Sequence, residues 1–470
     1  MRKQISIDPV TRLEGHGKIS LFLDEEGHVE RAYLQVPDFR GFEKFCEGRA
    51  AEEMPALTQK ICGVCPTAHH TASTKALDDL FKTEPPEAAK KIRELMYNAF
   101  VFEDHLLHFY FLGGPDFIVG LDAPKEKRNI FGVRDALGVD VVKKVIQIRK
   151  QARELNAMIS GSPLYPVCGL PGGISKALTE EDRINMKKLI TDFVPFAEYT
   201  LKIFDDVFIK NREHFNLMVS DVYCHKTSYV GLVNEENEMN FYDGKIRIVG
   251  PDGKEVVKFA AKDYLKYLQE RVESRSFMKT VYLRNIGQKG FAEGLGSGIY
   301  RVGPLARLNA SKGMATPLAH AEYKRMVSIL GGKPVHYTLA YHWARAIEIL
   351  YAAERMNELV NDAELSSPVI RRIPCGIKSQ GIAVCEAPRG LLLHHYQTDK
   401  KGILQKVNLI VATQNNAAAL NMSVEKAAKA IVKGEDVSDS LLNMVEIAFR
   451  AYDPCFACAT HLIRSDRINL

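Results

Sequence analysis

Nowhere in its 470 residues does the chain reach roughly 18 consecutive apolar side chains, the length a membrane-crossing helix needs, so no such span is expected. Its opening segment, MRKQISIDPVTRLEGHGK, lacks the apolar core of a secretory signal, and a cytoplasmic enzyme is the expectation. Neither sign of charge is in excess. The 63 basic and 58 acidic side chains leave a net charge of +5, too little to argue for a nucleic-acid or membrane surface. There is no internal repeat, low-complexity run or Gly/Ser linker, which excludes collagen-like and wholly disordered classes. Cysteine is sparse for this length: nine thiols, an odd number, rule out a small disulfide scaffold. What remains is ordinary globular material, 46% apolar and 26% charged, long enough to bury a large core.

Residues 17–37 alternate Ile19, Leu21 and Leu23, turn at Glu26-Gly27, and resume with Val29, Ala32 and Leu34, predicting a hairpin. A second hairpin is predicted at 245–259 around Pro251-Asp252-Gly253. Helical spacing marks 85–112, where Ala89, Ile92, Leu95, Ala99 and Phe102 recur, and likewise 139–158. A single helical stretch is predicted over 179–216, opened by the capping pattern Thr179-Glu180-Glu181-Asp182. Further helices are expected at 317–330, 336–362 and 417–433, with strands at 381–386 and 403–412. No βαβ alternation occurs. The fold class is therefore α+β, mainly helical, as one domain over 1–470. Its sub-regions are a β-containing 1–80, a helical 81–235, a hairpin insertion over 236–310 and a mixed 311–470.

Four of the nine cysteines form two CxxC pairs, Cys62/Cys65 and Cys455/Cys458, at opposite ends of the chain. A two-residue spacer lets both sulfurs of a pair turn to one metal, and four soft thiolates suit nickel, iron, zinc or copper(I) rather than magnesium or calcium. A zinc ribbon keeps its pairs about 15–20 residues apart; these pairs are separated by most of the chain. Spacing alone leaves open a structural zinc site, two unrelated pairs and a redox metal site.

The residues around the pairs narrow the choice. CGVCPTAHH at 62–70 and DPCFACATH at 453–461 resemble the paired motifs of nickel–iron hydrogenase large subunits. RLEGH at 12–16, FRGFE at 39–43, HFYFLGGPD at 108–116, LPGGISK at 170–176, EAPRG at 386–390 and VATQNN at 411–416 follow in the family's order. Two departures stand out: Lys60 occupies a position that is usually Arg, and Tyr165-Pro166 replaces a common His-Pro. Lysine cannot reproduce the planar fork of arginine.

The resemblance implies that H₂ is split into protons and electrons at a nickel–iron centre whose iron carries carbon monoxide and cyanide. Cys62 and Cys455 would hold nickel terminally, and Cys65 and Cys458 would bridge nickel to iron. Cys455 and then Glu14 would receive the proton. Arg389 would stand over the open metal position, with Asp116 and Asp453 orienting it, and Thr413 would donate to a cyanide. His69 would hydrogen-bond a bridging sulfur. Glu43 and His461 would contribute to a separate magnesium-type site, where iron is the alternative metal. The remaining cysteines, Cys46, Cys168, Cys224, Cys375 and Cys385, show no cluster spacing, so electrons must leave through an iron–sulfur small subunit. Beyond it the resemblance implies a further electron-transfer subunit serving heterodisulfide reductase or a diaphorase-like module. Residues 462–470 match a tail that a maturation endopeptidase removes after His461. A hydrogen sensor, a metal-free relative of respiratory complexes and a Cys₄ zinc protein are the alternatives.

Overall fold

The computed structural model describes residues 4–274, 276–434 and 437–460. Its centre is a set of long helices: α1 (Pro66–Leu80), α2 (Glu87–Leu107), α3 (Val139–Ser160), α4 (Phe193–Phe204), α5 (Tyr341–Asn361), α6 (Ala417–Ile431) and α7 (Asp439–Arg450). Helix α1 starts directly after Cys65 because Pro66, lacking an N–H, suits the first turn. Helix α2 follows Pro85-Pro86, and its predicted apolar stripe, Ala89, Ile92, Leu95, Ala99 and Phe102, is buried. It packs against α3 on one side and α5 on another, while α4 packs on α5. None of the described helices is long and apolar enough to cross a membrane.

Three antiparallel or mixed sheets flank these helices. At the N-terminus β1 (Gln4–Ile7), β2 (Lys18–Leu23) and β3 (Val29–Gln35) form a meander, with Ser20 opposite Tyr33, and α6 packs over β3. In the insertion β4 (Ser228–Val233), β5 (Lys245–Val249) and β6 (Glu255–Phe259) are successive antiparallel strands of a six-stranded sheet, with β6 at its edge. Near the C-terminus β7 (Gln380–Ala387), β8 (Gly390–Thr398) and β9 (Leu404–Ile410) form a third sheet, against which α1 lies. One apolar core runs from β1–β3 through the helices to Cys455 and Cys458, and a second fills the space between the six-stranded sheet and β7–β8.

Both predicted hairpins are present, and Thr179 and Asp182 form the expected capping box. The single helix predicted over 179–216 is instead three, Glu180–Leu189, Phe193–Phe204 and Arg212–Met218, with a π-type turn over Asp205–Ile209. Pro195 is the reason for the first break, since proline is tolerated only in a helix's opening turn. Asn211 is the reason for the restart: its side chain accepts from the Glu213 and His214 N–H groups. Strand β8 escaped the period-two pattern because it is buried on both faces from Gly390 to Tyr396.

Candidate metal centre

The two ends of the chain meet at the cysteines. Residue Glu14 pairs with Cys455 as an isolated parallel bridge, the Phe456 N–H donating to the Glu14 carbonyl at 2.9 Å. Glycine is required for this approach. A Cβ on Gly15, whose φ is +85°, would stand 2.7 Å from the Ala457 nitrogen, and one on Gly17 would strike the Phe456 ring at 2.4 Å. Arg40 ties the same two loops together by donating to the carbonyls of Ile61 and Ala457. Arg12 and Asp453, on the loops that present Glu14 and Cys455, both hold left-handed backbone, with φ of 58° and 57°. Such strain persists only where surrounding contacts impose it.

The four sulfurs converge: Cys62 and Cys455 lie 3.4 Å apart, Cys65 and Cys458 3.2 Å, and Cys455 and Cys458 3.0 Å. All four ligand atoms lie within 4.8 Å of one another, and all four side chains are buried. Hydrogen bonds from its three cysteine neighbours pull the Cys62 thiol well below its ordinary value. Burial, together with those neighbours, pushes Cys455 and Cys458 well above theirs. The cluster thus takes one negative charge readily and resists the others until a cation balances them. That is the electrostatic signature of a metal site.

A small cavity of about 10 Å³ adjoins the sulfurs, walled by Cys65, Cys455 and Cys458, by His69, Arg389 and Thr413, and by apolar Ala68, Ala387, Leu392, Val411 and Ala412. Arg389 donates to Asp104 and to Asp453, each at 3.1 Å, while its buried Nε has no partner among the described residues. Burial opposes its charge, but the two carboxylates outweigh that and hold the guanidinium charged. An unpaired donor on a small, mostly apolar cavity fits a metal carrying compact acceptor ligands. Thr413 accepts from the Cys455 N–H at 2.9 Å, which leaves its own hydrogen for the cavity. Glu14 accepts from the Cys455 thiol at 2.9 Å and from the Ala457 N–H at 3.1 Å. Burial and the neighbouring Cys62 charge raise its pKa against those bonds.

Comparison with known proteins agrees with this geometry. A family model described as nickel-dependent hydrogenase matches residues 40–129 and 295–461, and one described as HoxL-like matches residues 4–39. An iron-sulfur subunit of the F420-non-reducing hydrogenase of Archaeoglobus profundus is 46% identical over 462 residues, covering 98% of this chain and 95% of that one. The chain belongs to the nickel-dependent hydrogenase family. Subunit beta of the NAD-reducing hydrogenase HoxS of Cupriavidus necator is 36% identical, covering 98% of this chain and 96% of that one. Among solved structures, an NAD⁺-reducing [NiFe]-hydrogenase in the H₂-reduced state superposes with a TM-score of 0.92 at 35% identity, covering 98% and 99% of the two chains. The Ni-Fe-Se hydrogenase of Desulfovibrio vulgaris Hildenborough, 24% identical, shares the fold with a TM-score of 0.78 and coverage of 98% and 100%.

Within this hydrogenase chain, one sequence expectation needs correction. Asp116 does not orient Arg389. It accepts from Arg12, and from Arg450 at 2.5 Å, beneath the N-terminal loop. The partner of Arg389 is Asp104, on α2. The helix ends in a π-type turn, His108–Leu112, then breaks at Gly113-Gly114, so Asp116 opens a new short helix that faces elsewhere. Asp104 could have been found as a carboxylate on an otherwise apolar helix face. The Nε2 of His69 lies 3.3 Å from the Cys458 sulfur, and burial lowers its pKa to about 4. The two departures from the family pattern meet: the Lys60 ammonium lies 3.8 Å from the centre of the Tyr165 ring, a cation–π pair.

Glu43 accepts from the Leu409 N–H at 2.9 Å and faces the Lys279 ammonium at 3.4 Å; Lys279 also pairs with Glu270 at 2.9 Å. Its expected co-ligand His461 lies outside the described residues, as does the tail 462–470. Among the described residues, Glu43 and Glu270 share the Lys279 ammonium, and a divalent cation between the two carboxylates would have to displace it.

Proposed function

We propose that this subunit splits H₂ at a nickel–iron centre held by Cys62, Cys65, Cys455 and Cys458, hands the proton to Glu14, and delivers electrons to an iron–sulfur partner subunit. The observation that carries this reading is the convergence of four buried sulfurs within 4.8 Å from opposite ends of the chain, with a carboxylate 2.9 Å from one of them. When bound, the metal group supplies a two-electron acceptor at which the H–H bond polarises. The four sulfurs would hold nickel and an iron carrying carbon monoxide and cyanide, and the small cavity that Cys65, Cys455 and Cys458 wall would give those compact ligands room.

The chain's own groups account for the proton. The Cys455 sulfur takes it and passes it 2.9 Å to Glu14 Oε2, whose burial lets it hold a proton nearer neutral pH than an exposed carboxylate can. Arg389, clamped by Asp104 and Asp453, holds a fixed positive charge on the wall of the cavity. Thr413 keeps the Cys455 backbone in place and offers its hydroxyl hydrogen inward. No step is routed through Glu43.

Electrons need another polypeptide, because no second cysteine cluster capable of holding a metal occurs among the described residues. The named relatives divide between F420-non-reducing and NAD-reducing hydrogenases, and this chain has no dinucleotide fingerprint, so the partner chooses the acceptor. Resemblance favours an electron-transfer subunit feeding heterodisulfide reductase over a diaphorase-like module. All nine cysteines are free thiols, which accords with a reducing, cytoplasmic setting. Metal analysis with infrared spectroscopy on the purified complex tests the reading: nickel and iron with carbonyl and cyanide bands are expected, and zinc alone refutes it. Cleavage after His461 by a maturation endopeptidase is part of the same proposal; an intact mass ending at Leu470 in fully active protein refutes that part.

A further inference from the structure

Arg389 stands at the tip of a hairpin: Ala387 pairs with Gly390, so Pro388 and Arg389 are the whole turn between β7 and β8. A buried arginine on the helix Pro304–Ala310 grips this turn from behind. The Nη1 of Arg307 donates to the Ala387 carbonyl at 2.9 Å, and its Nη2 donates to the Pro388 carbonyl at 3.0 Å. Nη1 also donates to Glu386 at 2.8 Å, while Nε and Nη2 form a parallel pair to the two oxygens of Glu348 on α5, each at 2.6 Å. These contacts use all five N–H groups of the guanidinium. Arg307, Glu348 and Glu386 are fully buried. Glu348 also accepts from His105 Nε2 at 2.8 Å, and His105 directly follows Asp104, the partner of Arg389. Burial opposes the Glu348 charge, but Arg307 outweighs it and keeps the carboxyl below its ordinary value. The contacts thus close a ring through Arg389, Asp104, His105, Glu348, Arg307 and Pro388. Little slack remains at the turn, since a Cβ on Gly303 would stand 2.8 Å from the Arg389 carbonyl oxygen and one on Gly390 2.7 Å from the Gly303 nitrogen.

We infer that Arg307, together with Glu348, is the positioning residue that sets where the Arg389 guanidinium stands on the wall of the metal cavity. The inference rests on the metal-centre reading above. Arg307 and Glu348 do not wall the cavity themselves, so they act on it through Arg389. The place of the Arg389 guanidinium depends on two anchors, the backbone of its turn and the Asp104 carboxylate. One belongs to the β7–β8 hairpin and the other to α2, and Arg307 with Glu348 ties the two together. Tyr97 on α2 adds a second tie by donating to the Glu386 carbonyl at 2.9 Å. Neutralising two buried carboxylates would take only a cation. The parallel pair to Glu348 and the bonds to both turn carbonyls fix a geometry as well, which a point charge cannot do.

Arg307→Lys keeps the charge and loses the fork, which makes it the test. Nickel-replete complexes of this variant should reduce an artificial acceptor with H₂ roughly 10- to 100-fold more slowly than wild type, the effect of misplacing a positioned group by up to about 1 Å. An Arg389→Lys background keeps a cation at the turn and supplies a residual turnover. There the same substitution should change turnover by less than about twofold, because the group it positions is gone. Arg93→Lys on α2 is the structural comparison. Arg93 is also buried and bonds Asp78 at 2.6 Å and the Leu170 and Gly173 carbonyls, away from the ring, so any loss should be equal in both backgrounds. Glu348→Gln keeps the side-chain volume and should slow turnover in the same direction but less; it takes the place of Arg307→Lys if that variant fails to load nickel. Crystal structures of the variant complexes read the Arg389 guanidinium directly, with or without metal. It should be displaced from Asp104 in Arg307→Lys and unmoved in Arg93→Lys. An equal loss in both backgrounds, a nickel-replete Arg307→Lys within about twofold of wild type, or an Arg389 that keeps its wild-type place overturns the inference. Wild-type complex without nickel would instead remove the metal-centre reading, and the crystal structures would still decide the positioning.

Discussion

Replacing Asp104 by asparagine tests the part of the site that the fold alone reveals. Arg389 is 3% exposed and Asp104 fully buried, and the guanidinium is shared between Asp104 and Asp453 at 3.1 Å each. A unit charge pair near 4 Å in an environment of effective dielectric about 20 is worth about 4 kcal/mol. Asparagine keeps an acceptor for Nη1, so a charged hydrogen bond of about 2 kcal/mol survives, and the net loss is about 2 kcal/mol. The catalytic effect should be larger than this stability loss suggests. With one clamp weakened, Arg389 tilts toward Asp453, and a misplacement of order 1 Å in a positioned group costs about 10²-fold. Asp453→Asn should behave alike. The double variant leaves Arg389 with amide acceptors but no carboxylate clamp, and an uncompensated buried charge costs about 3–5 kcal/mol, so the two losses should not add but compound. Denaturant unfolding and hydrogen-dependent reduction of an artificial acceptor, on nickel-replete complexes, supply both readouts. An Asp104→Asn enzyme within twofold of wild type, with a merely additive double variant, would refute the clamp.

Other outcomes follow from the same geometry. Cys62→Ser and Cys455→Ser should each lose nickel and all activity, because a hydroxyl is a poor substitute for a soft thiolate, whereas Cys224→Ser should keep most of both; metal analysis decides, and full nickel in Cys455→Ser would count against the ligand assignment. Glu14→Gln should retain nickel yet lose hydrogen oxidation by orders of magnitude, since an amide accepts from Cys455 but cannot relay its proton; near-normal turnover would move the relay elsewhere. Burial pushes Glu386 up to about 7 even though Arg307, which it shares with Glu348, donates to it at 2.8 Å. A carboxyl whose pKa rises on folding contributes its full stability below the unfolded value of about 4.3, and that contribution is lost as pH climbs through 7. Stability should therefore fall from about pH 4 to about pH 7, with a slope of at most about 1.4 kcal/mol per unit from this group. Glu386→Gln should flatten that slope in denaturation midpoints measured across the range, and an unchanged slope would refute the assignment.

The sequence alone determined whatever depends on short-range pattern. Periodicity placed the two hairpins and the buried stripe of α2, because alternation and 3.6-residue spacing are written in neighbouring residues. The CxxC pairs and their flanking motifs singled out the four cysteines that converge, because ligand chemistry is carried by residue type and a two-residue spacer. Only the tertiary structure decided which groups face one another across long loops. Asp116 and Asp104 are both carboxylates within a few turns of the same segment, and the π-type turn with Gly113-Gly114 sends one to Arg450 and the other to Arg389. Nothing local announces that Arg40 joins Ile61 to Ala457, or that Lys60 and Tyr165 stack. The same holds for the hydrogen-bonded row of Ser73, Tyr396, His394, His69 and Cys458. Its members come from a helix, a strand and the chain's last described segment, and they line up only because four residues of helix and two of strand advance by nearly the same distance.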